Sequence, residues 1–247
     1  MQVLAVAWTN PSRVNCNSIT SAIATDYNSS ICVSGAASGK SSPYYDSYSQ
    51  NPYFDFKIRP TMMLAGKSVA EVKMLIDRGV SLDATMPKGK AYIMKTSDTT
   101  RSLQSLTYPQ DKLGSLISPD IDVKILSSNA VSSTTDTLFY FQGLSSVAKI
   151  ATNKFPAGTV ADHLTSYGGR LTDSSQMSIL EFTSAGVTGS YGTVSEPYAL
   201  SSKFPDPAVM MTHYTRGESL VKAYWKSVSL PYQGIFVGDP LASPWSN

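Results

Sequence analysis

The chain has 247 residues, of which 42% are apolar and only 15% charged, so it can build a core and is neither a disordered protein nor a coiled coil. Twenty basic and 18 acidic residues give a net charge of +2 without a basic run, which argues against a nucleic-acid partner. No apolar run approaches the ~20 residues that a membrane-spanning helix needs, so no membrane span is predicted.

The first predicted element is a strand over residues 3–7. It is a continuous apolar run that stops at Thr9, Asn10 and Pro11, which is typical of a strand buried on both faces. This strand has no basic segment before it and no small-residue cleavage site after it. It is therefore not interpreted as a signal peptide. Two explanations stay open: Met1 is the native start, or an export signal and the first elements of the domain are missing from this chain.

The two cysteines, Cys16 and Cys32, are separated by a polar stretch. A disulfide that closes a loop of this size would contribute about 3 kcal/mol on the chain-entropy model, and it is the favoured interpretation for an oxidising compartment. Two unrelated buried thiols are the alternative. Together with the distant His163 and His213 the cysteines lack the paired spacing of structural zinc sites, so no metal is predicted.

A predicted helix over residues 18–24 is followed by a loop-rich insertion near residues 34–60. Aromatic side chains alternate there with Gly, Ser, Pro and Asn, beginning with Tyr44 and Tyr45. Such a cluster forms a ligand-stacking surface in some proteins and packs a long loop onto its own domain in more of them. Both interpretations of Tyr44 and Tyr45 stay open on the sequence.

The sharpest helix signal covers residues 68–79. Ser68 and Glu71 have the spacing of a capping box, an apolar stripe follows, and Gly79 is predicted to stop the helix in a left-handed conformation.

The rest of the chain alternates strands and helices around a polar insertion at residues 96–135. Alternation of this kind predicts a mostly parallel sheet with helices on its faces and right-handed crossovers. We therefore predict one α/β domain over residues 1–247 with a three-layer αβα architecture. The predicted elements are strands at 91–95, 123–126, 137–142, 160–165, 187–191 and 235–237, and helices at 174–185 and 218–228.

Ligands of open α/β sheets bind beyond the carboxyl ends of the strands, so the residues that follow each strand are the candidates for chemistry. The run at 162–169 has the densest set of reactive side chains: His163 as a base, Ser166 as a nucleophile, Asp162 beside them, and Gly168 and Gly169 as an anion cradle for acyl transfer. The alternative is that His163 anchors the loop and the glycines only make its turn.

Other strand ends carry weaker signals. Gly143 follows the strand at 137–142, and Glu196 and Asp239 each precede a proline after a predicted strand. These carboxylates suit acid/base work or cation binding, and they equally suit turn capping. His213 could approach the same edge from elsewhere in the fold. The chain has no phosphate loop, no dinucleotide fingerprint and no Gly-x-Ser-x-Gly elbow, so no cofactor is predicted.

Segments over nearly the whole chain resemble an uncharacterised bacterial family of exported proteins that is found in genomes with the PEP-CTERM sorting system. The resemblance implies an extracytoplasmic location, which the possible Cys16–Cys32 disulfide fits, and it implies no activity. Members of that family carry an export signal and an opening βα unit that this chain lacks. The segments that carry the resemblance lie at 7–11, 18–20, 59–66, 76–80, 161–169, 189–197, 223–228 and 234–242.

A fainter resemblance is to the gingipain and caspase peptidases. In that fold one strand ends in His-Gly and the next in Ala-Cys, and these ends supply the base and the nucleophile. Here Leu144 stands about where the histidine would fall, and no cysteine follows Cys32. The resemblance therefore implies a gingipain/caspase-like scaffold without cysteine-peptidase chemistry. The matching segments occur in the same order at 139–144, 161–169, 174–185, 187–193 and 238–240.

Two hypotheses of different class follow. The first is an extracytoplasmic hydrolase-like enzyme that acts on peptide or glycan through Asp162, His163 and Ser166. The second is a non-enzymatic envelope or surface module that binds a peptide, a glycan or an envelope protein, with the aromatic loop around Tyr44 and Tyr45 as its contact surface.

Overall fold

A computed structural model describes residues 18–25, 41–102 and 117–246. The predicted strand at 3–7, the Cys16–Cys32 pair and the first part of the aromatic insertion lie outside these residues. Within the described part of the chain, no helix has the length and apolar character to cross a membrane.

Within these residues, six strands form one sheet with the order β2-β1-β3-β4-β5-β6. Neighbouring strands are parallel throughout except at one edge, where β5 and β6 are antiparallel. This confirms the α/β class and the mostly parallel sheet. The strands are β1 (Gly89–Lys95), β2 (Ile121–Ser127), β3 (Thr137–Gln142), β4 (Val160–His163), β5 (Gly189–Thr193) and β6 (Gly234–Gly238).

Alternate residues of each strand point to opposite faces of the sheet, and helices pack against the side chains on both faces. On one face Phe139 stacks on Trp245 with ring centroids 6.0 Å apart, and on the other Tyr140 meets Phe182 edge-on at 6.3 Å. The described α-helices are α1 (Ile19–Ala24), α2 (Pro52–Phe56), α3 (Val69–Leu82), α4 (Leu180–Ser184), α5 (Pro207–Thr215) and α6 (Leu220–Ser227).

Helix α3 begins as predicted and ends later. Ser68 Oγ accepts a hydrogen bond from the Glu71 amide at 3.2 Å, so the cap is present. The prediction that Gly79 stops the helix is wrong, since α3 continues to Leu82. Gly79 is instead a contact point: a Cβ there would overlap the Asp239 carboxylate and lie 2.8 Å from its Cβ.

Two helices depart from the sequence pattern. The predicted helix at 174–185 is helical only over Leu180–Ser184, and Gly186 ends it with φ = +108°. Helix α5 went unpredicted because it is buried nearly all round, which removes the amphipathic periodicity. Its signal was local: Asp206 accepts hydrogen bonds from the amides of Ala208 and Val209, and Pro207 occupies the first turn.

The aromatic insertion is fastened to α5 and α6 by buried charges. Tyr44 is fully buried, and the ammonium of Lys226 lies 5.3 Å from its ring. Lys226 also pairs with Glu218 at 2.6 Å, and His213 hydrogen-bonds Glu218 through Nδ1 and Asp46 through Nε2. Tyr44 and His213 therefore serve packing in this structure.

Candidate functional site

The carboxyl ends of β1, β3, β4 and β5 meet at one edge of the sheet because these strands run in the same direction. The segment at 162–169 leaves β4 at this edge: Leu164 N–H donates to the Gln142 carbonyl at 2.8 Å, and His163 Nδ1 lies 3.0 Å from the Leu144 carbonyl. The loop at 164–178, called the β4 loop below, stands between two clefts.

The larger cleft has a volume of about 890 Å³ and lies between the loop after β3 and the β4 loop. Its floor is apolar, with Val147, Ile150 and Met177. Its rim carries two cations, Lys149 and Arg170. The remaining lining is mostly hydroxyl and amide groups: Ser146, Asn153, Thr172, Ser174, Ser175, Gln176, Ser178 and Ser184.

The smaller cleft has a volume of about 460 Å³ and lies on the other side of the β4 loop. It brings together Ser166 and Glu196, two of the residues singled out in the sequence. Arg101, which follows β1, also lines it and is held by Asp98 through both its backbone amide and its guanidinium. Glu196 Oε1 accepts a hydrogen bond from the Tyr198 amide at 2.8 Å, so it caps a turn as well as facing the cleft.

His163 is buried, with 1% of its surface exposed, and does not line either cleft. Burial lowers the pKa of its imidazole to about 4, against a smaller opposing effect of the Leu144 and Met177 backbones. Since the Leu144 carbonyl can only accept, Nδ1 carries the proton and Nε2 is an unprotonated acceptor. No hydrogen bond joins His163 to Ser166 among the described residues.

Asp162 points to the opposite face of the sheet and is equally buried. Its Oδ1 accepts hydrogen bonds from the Tyr191 amide at 2.5 Å and from the Tyr224 hydroxyl at 3.1 Å. Burial raises the pKa of the Asp162 carboxyl to about 7, although these donors lower it. Asp162 thus ties β4 to β5 and to α6 in this structure.

The two glycines of the β4 loop are sites of close backbone packing. A Cβ on Gly169 would overlap the Gly192 carbonyl, and a Cβ on Gly168 would lie 2.9 Å from His163 Nε2. The Gly169 amide already donates to the Thr193 carbonyl at 2.9 Å, and the Tyr167 amide donates to Gln176. The Gly169 amide is therefore occupied by the fold itself, and neither Gly168 nor Gly169 lines the two clefts.

Gly143 and Tyr45 complete the residues singled out in the sequence. A Cβ on Gly143 would overlap the Arg101 carbonyl, and the Gly143 carbonyl accepts from Thr96 Oγ1 at 2.8 Å, so Gly143 lets the turn that carries Arg101 pack against β3. Tyr45 is half-buried beside Tyr44 in the insertion.

Sequence reasoning missed the residues that shape the larger cleft. Gln176 fixes the β4 loop, because its Oε1 accepts from Thr165 Oγ1 at 2.8 Å and from the Tyr167 amide at 2.7 Å. Arg170 stacks on the Tyr167 ring at 4.5 Å and donates to the Val194 carbonyl at 2.9 Å. Lys149 adopts φ = +62° in the loop after β3. No short motif contains them, so only the strand-end rule pointed to this region.

Within the described part of the chain, no three His, Cys, Asp or Glu side chains are grouped so that they could hold a metal ion. Comparison of the whole chain with protein-family profiles, with curated proteins and with solved structures finds no match.

Proposed function

We propose that this protein is a non-enzymatic binding module that holds an extended peptide in the larger cleft. The carrying observation is the combination of an apolar floor at Val147, Ile150 and Met177 with a hydroxyl-rich rim at the carboxyl edge of the sheet. A peptide needs both, because its side chains bury in apolar pockets while its backbone takes hydrogen bonds from the rim.

The charges of the cleft favour a peptide with a carboxylate. Lys149 and Arg170 line it, and the one carboxylate of the lining, Glu181, is already paired with Lys67 at 2.7 Å. Arg170 meets the Tyr167 ring and a carbonyl, and neither neutralises its charge. A carboxylate of the ligand would complement both cations.

Glycan is the weaker candidate for this cleft. Sugar rings bind on exposed aromatic side chains in most carbohydrate sites, and none of the described residues lining the larger cleft is aromatic. A hydrolase-like function with His163 and Ser166 has no supporting contact, since no hydrogen bond joins the two side chains among the described residues and Ser166 lines the smaller cleft.

We also propose a finer architecture and a location for this protein. Helices on both faces of a mostly parallel sheet support a three-layer, gingipain/caspase-like scaffold, on which a binding role would be a derived use. The extracytoplasmic location rests on the family resemblance and on the possible Cys16–Cys32 disulfide.

The test is peptide capture. A mixture of acetylated pentapeptides built from Ala, Val, Leu, Ser and Asn is prepared with a free carboxyl terminus and, separately, as its amide. We expect the immobilised protein to retain the free-carboxyl mixture, and Lys149→Gln to weaken its affinity about tenfold by removing one charge partner. Lys73→Gln, on the exposed side of α3, is the matched control and should change nothing. No retention, or retention that Lys149→Gln leaves unchanged, would contradict the proposal.

A further inference from the structure

Two buried polar side chains lie side by side where β3 and β4 end. Gln142 and His163 are register partners in adjacent parallel strands, so both side chains point to the same face of the sheet. Each has 1% of its surface exposed. Gln142 Nε2, Gln142 Oε1 and His163 Nε2 make no hydrogen bond to any described residue. Three such atoms at one place are costly to the fold and call for an explanation.

The pair is linked to the apolar lining of the larger cleft through Phe182 and Met177. The His163 ring is 5.7 Å from the Phe182 ring, and Phe182 belongs to the same apolar cluster as Val147, with Met177 packed against it. Val147 and Met177 are floor residues and are joined to each other, since the Val147 amide lies 3.4 Å from Met177 Sδ. The backbone of Met177 adjoins His163 as well. Met177 thus adjoins both the cleft and His163.

The hydrogen-bonding capacity of the pair defines what it can recognise. His163 Nε2 offers a lone pair because Nδ1 carries the proton toward Leu144. The Gln142 amide offers two donors and one acceptor. A group that donates to Nε2 and exchanges hydrogen bonds with an amide completes all three atoms. A carboxamide does so, because it has two N–H donors and one acceptor oxygen, and a hydroxyl with its single proton completes two of the three. A carboxylate cannot donate, and an alkyl group pairs with nothing.

We propose that Gln142 and His163 are the specificity-determining pair of the larger cleft and bind the hydroxyl or carboxamide of a Ser, Thr, Asn or Gln side chain that enters past Met177. This inference rests on the peptide-binding function proposed above. The flexible thioether of Met177 suits it to move aside when such a side chain enters. The carboxylate of the same peptide pairs with Lys149 and Arg170 at the rim.

The first arm of the test is stability, which does not depend on any ligand. Gln142→Met keeps the size of the side chain and removes two unpaired polar atoms, so we expect its Tm to equal or exceed that of the unchanged protein. Gln233→Met is the matched control: Gln233 is also buried, but its Nε2 donates to Ser195 Oγ at 2.9 Å and to the Glu196 carbonyl at 3.0 Å, so its Tm should fall. A lower Tm for Gln142→Met would show that the amide serves the fold and would overturn the inference.

The second arm is side-chain preference. Acetylated pentapeptides of Ala with a free carboxyl terminus carry Asn, Asp or Leu at each position in turn, and the retained fraction of each is measured by mass spectrometry. At one position we expect Asn to bind about tenfold better than Asp and Leu, and Gln142→Met to abolish this preference while Gln233→Met keeps it. Binding without an Asn preference overturns the inference and leaves the peptide-binding proposal standing. No binding of any peptide overturns both.

Discussion

Asp162 and His163 are neighbours in β4 whose side chains leave the sheet on opposite faces and whose burial has opposite consequences. Burial favours the protonated, neutral carboxyl of Asp162, with a pKa of about 7, and the deprotonated, neutral imidazole of His163, with a pKa of about 4. Both side chains are therefore uncharged over the range between these values. Neutral buried groups are less costly to the fold than charged ones, which explains how two titratable residues are accommodated in one central strand.

This pair should compensate in the pH dependence of stability. The raised pKa of Asp162 contributes stability that is present below about pH 4 and is lost as pH rises through 7. The lowered pKa of His163 contributes stability that is present above about pH 6.5 and is lost as pH falls through 4. Between pH 4 and 6.5 the two slopes, each about 1.4 kcal/mol per pH unit at most, cancel.

Single substitutions should expose each slope. Relative to the unchanged protein, the free energy of unfolding of the Asp162→Asn variant should fall as pH falls from 6.5 to 4. That of the His163→Gln variant should rise as pH falls from 7 to 4. Urea unfolding at half-unit pH steps measures both differences, and other carboxylates cancel because each variant is compared with the parent at the same pH. Parallel pH curves for parent and variants would contradict the assignment of neutral forms.

At the scale of elements, the strands were predicted better than the helices. The strand at 137–142 matches β3 residue for residue, because all its side chains are buried and the apolar run is uninterrupted. Helix ends depended on tertiary contacts that the sequence does not show. Gly79 carries the local signal of a helix stop, yet its lack of a side chain serves the approach of Asp239 from the far end of the chain.

Gly79→Ala tests that interpretation. Alanine favours an exposed helix interior over glycine by about 1 kcal/mol, so a glycine without tertiary role would be stabilised by the change. Here the new Cβ meets an Asp239 that is itself fixed by hydrogen bonds of its backbone amide to Thr188 and of its carboxylate to Leu241. We expect a net loss of about 1–3 kcal/mol in the free energy of urea unfolding.

Val80→Ala is the control for this prediction, because Val80 is the next residue of α3 and its side chain is 71% exposed. Its free energy of unfolding should stay within about 0.5 kcal/mol of the parent. A stabilised Gly79→Ala variant would mean that the contact with Asp239 relaxes at little cost.

For the whole molecule, the sequence predicted the edge of the sheet at which both clefts lie, but not the side chains that line the larger cleft. The strand-end rule selects the carboxyl edge, and both clefts lie there. Residues with reactive side chains attracted attention in the sequence, but His163 and Asp162 proved buried, whereas Lys149, Arg170 and Gln176 become neighbours only through the folding of two loops. Burial and loop geometry are properties of the tertiary structure, so no short motif could have supplied them.

The two hypotheses for binding point to opposite faces of the sheet. The larger cleft lies with α4 on the face of Tyr140, whereas the aromatic insertion is fastened to α5 and α6 on the face of Phe139. In the insertion, Tyr48 and Phe54 have 81% and 76% of their surface exposed. The insertion is therefore a second surface to which a peptide could bind.

Hydrogen exchange of the whole protein separates these surfaces. With the free-carboxyl pentapeptide mixture present, we expect slower amide exchange in the loop after β3 at 143–153 and in the β4 loop, because bound peptide restricts the opening of both walls of the cleft. Exchange across 41–59 should not change. Lys149→Gln should reduce the protection, and Lys73→Gln should preserve it. Protection confined to 41–59 would instead assign binding to the aromatic insertion and remove the cleft as the site.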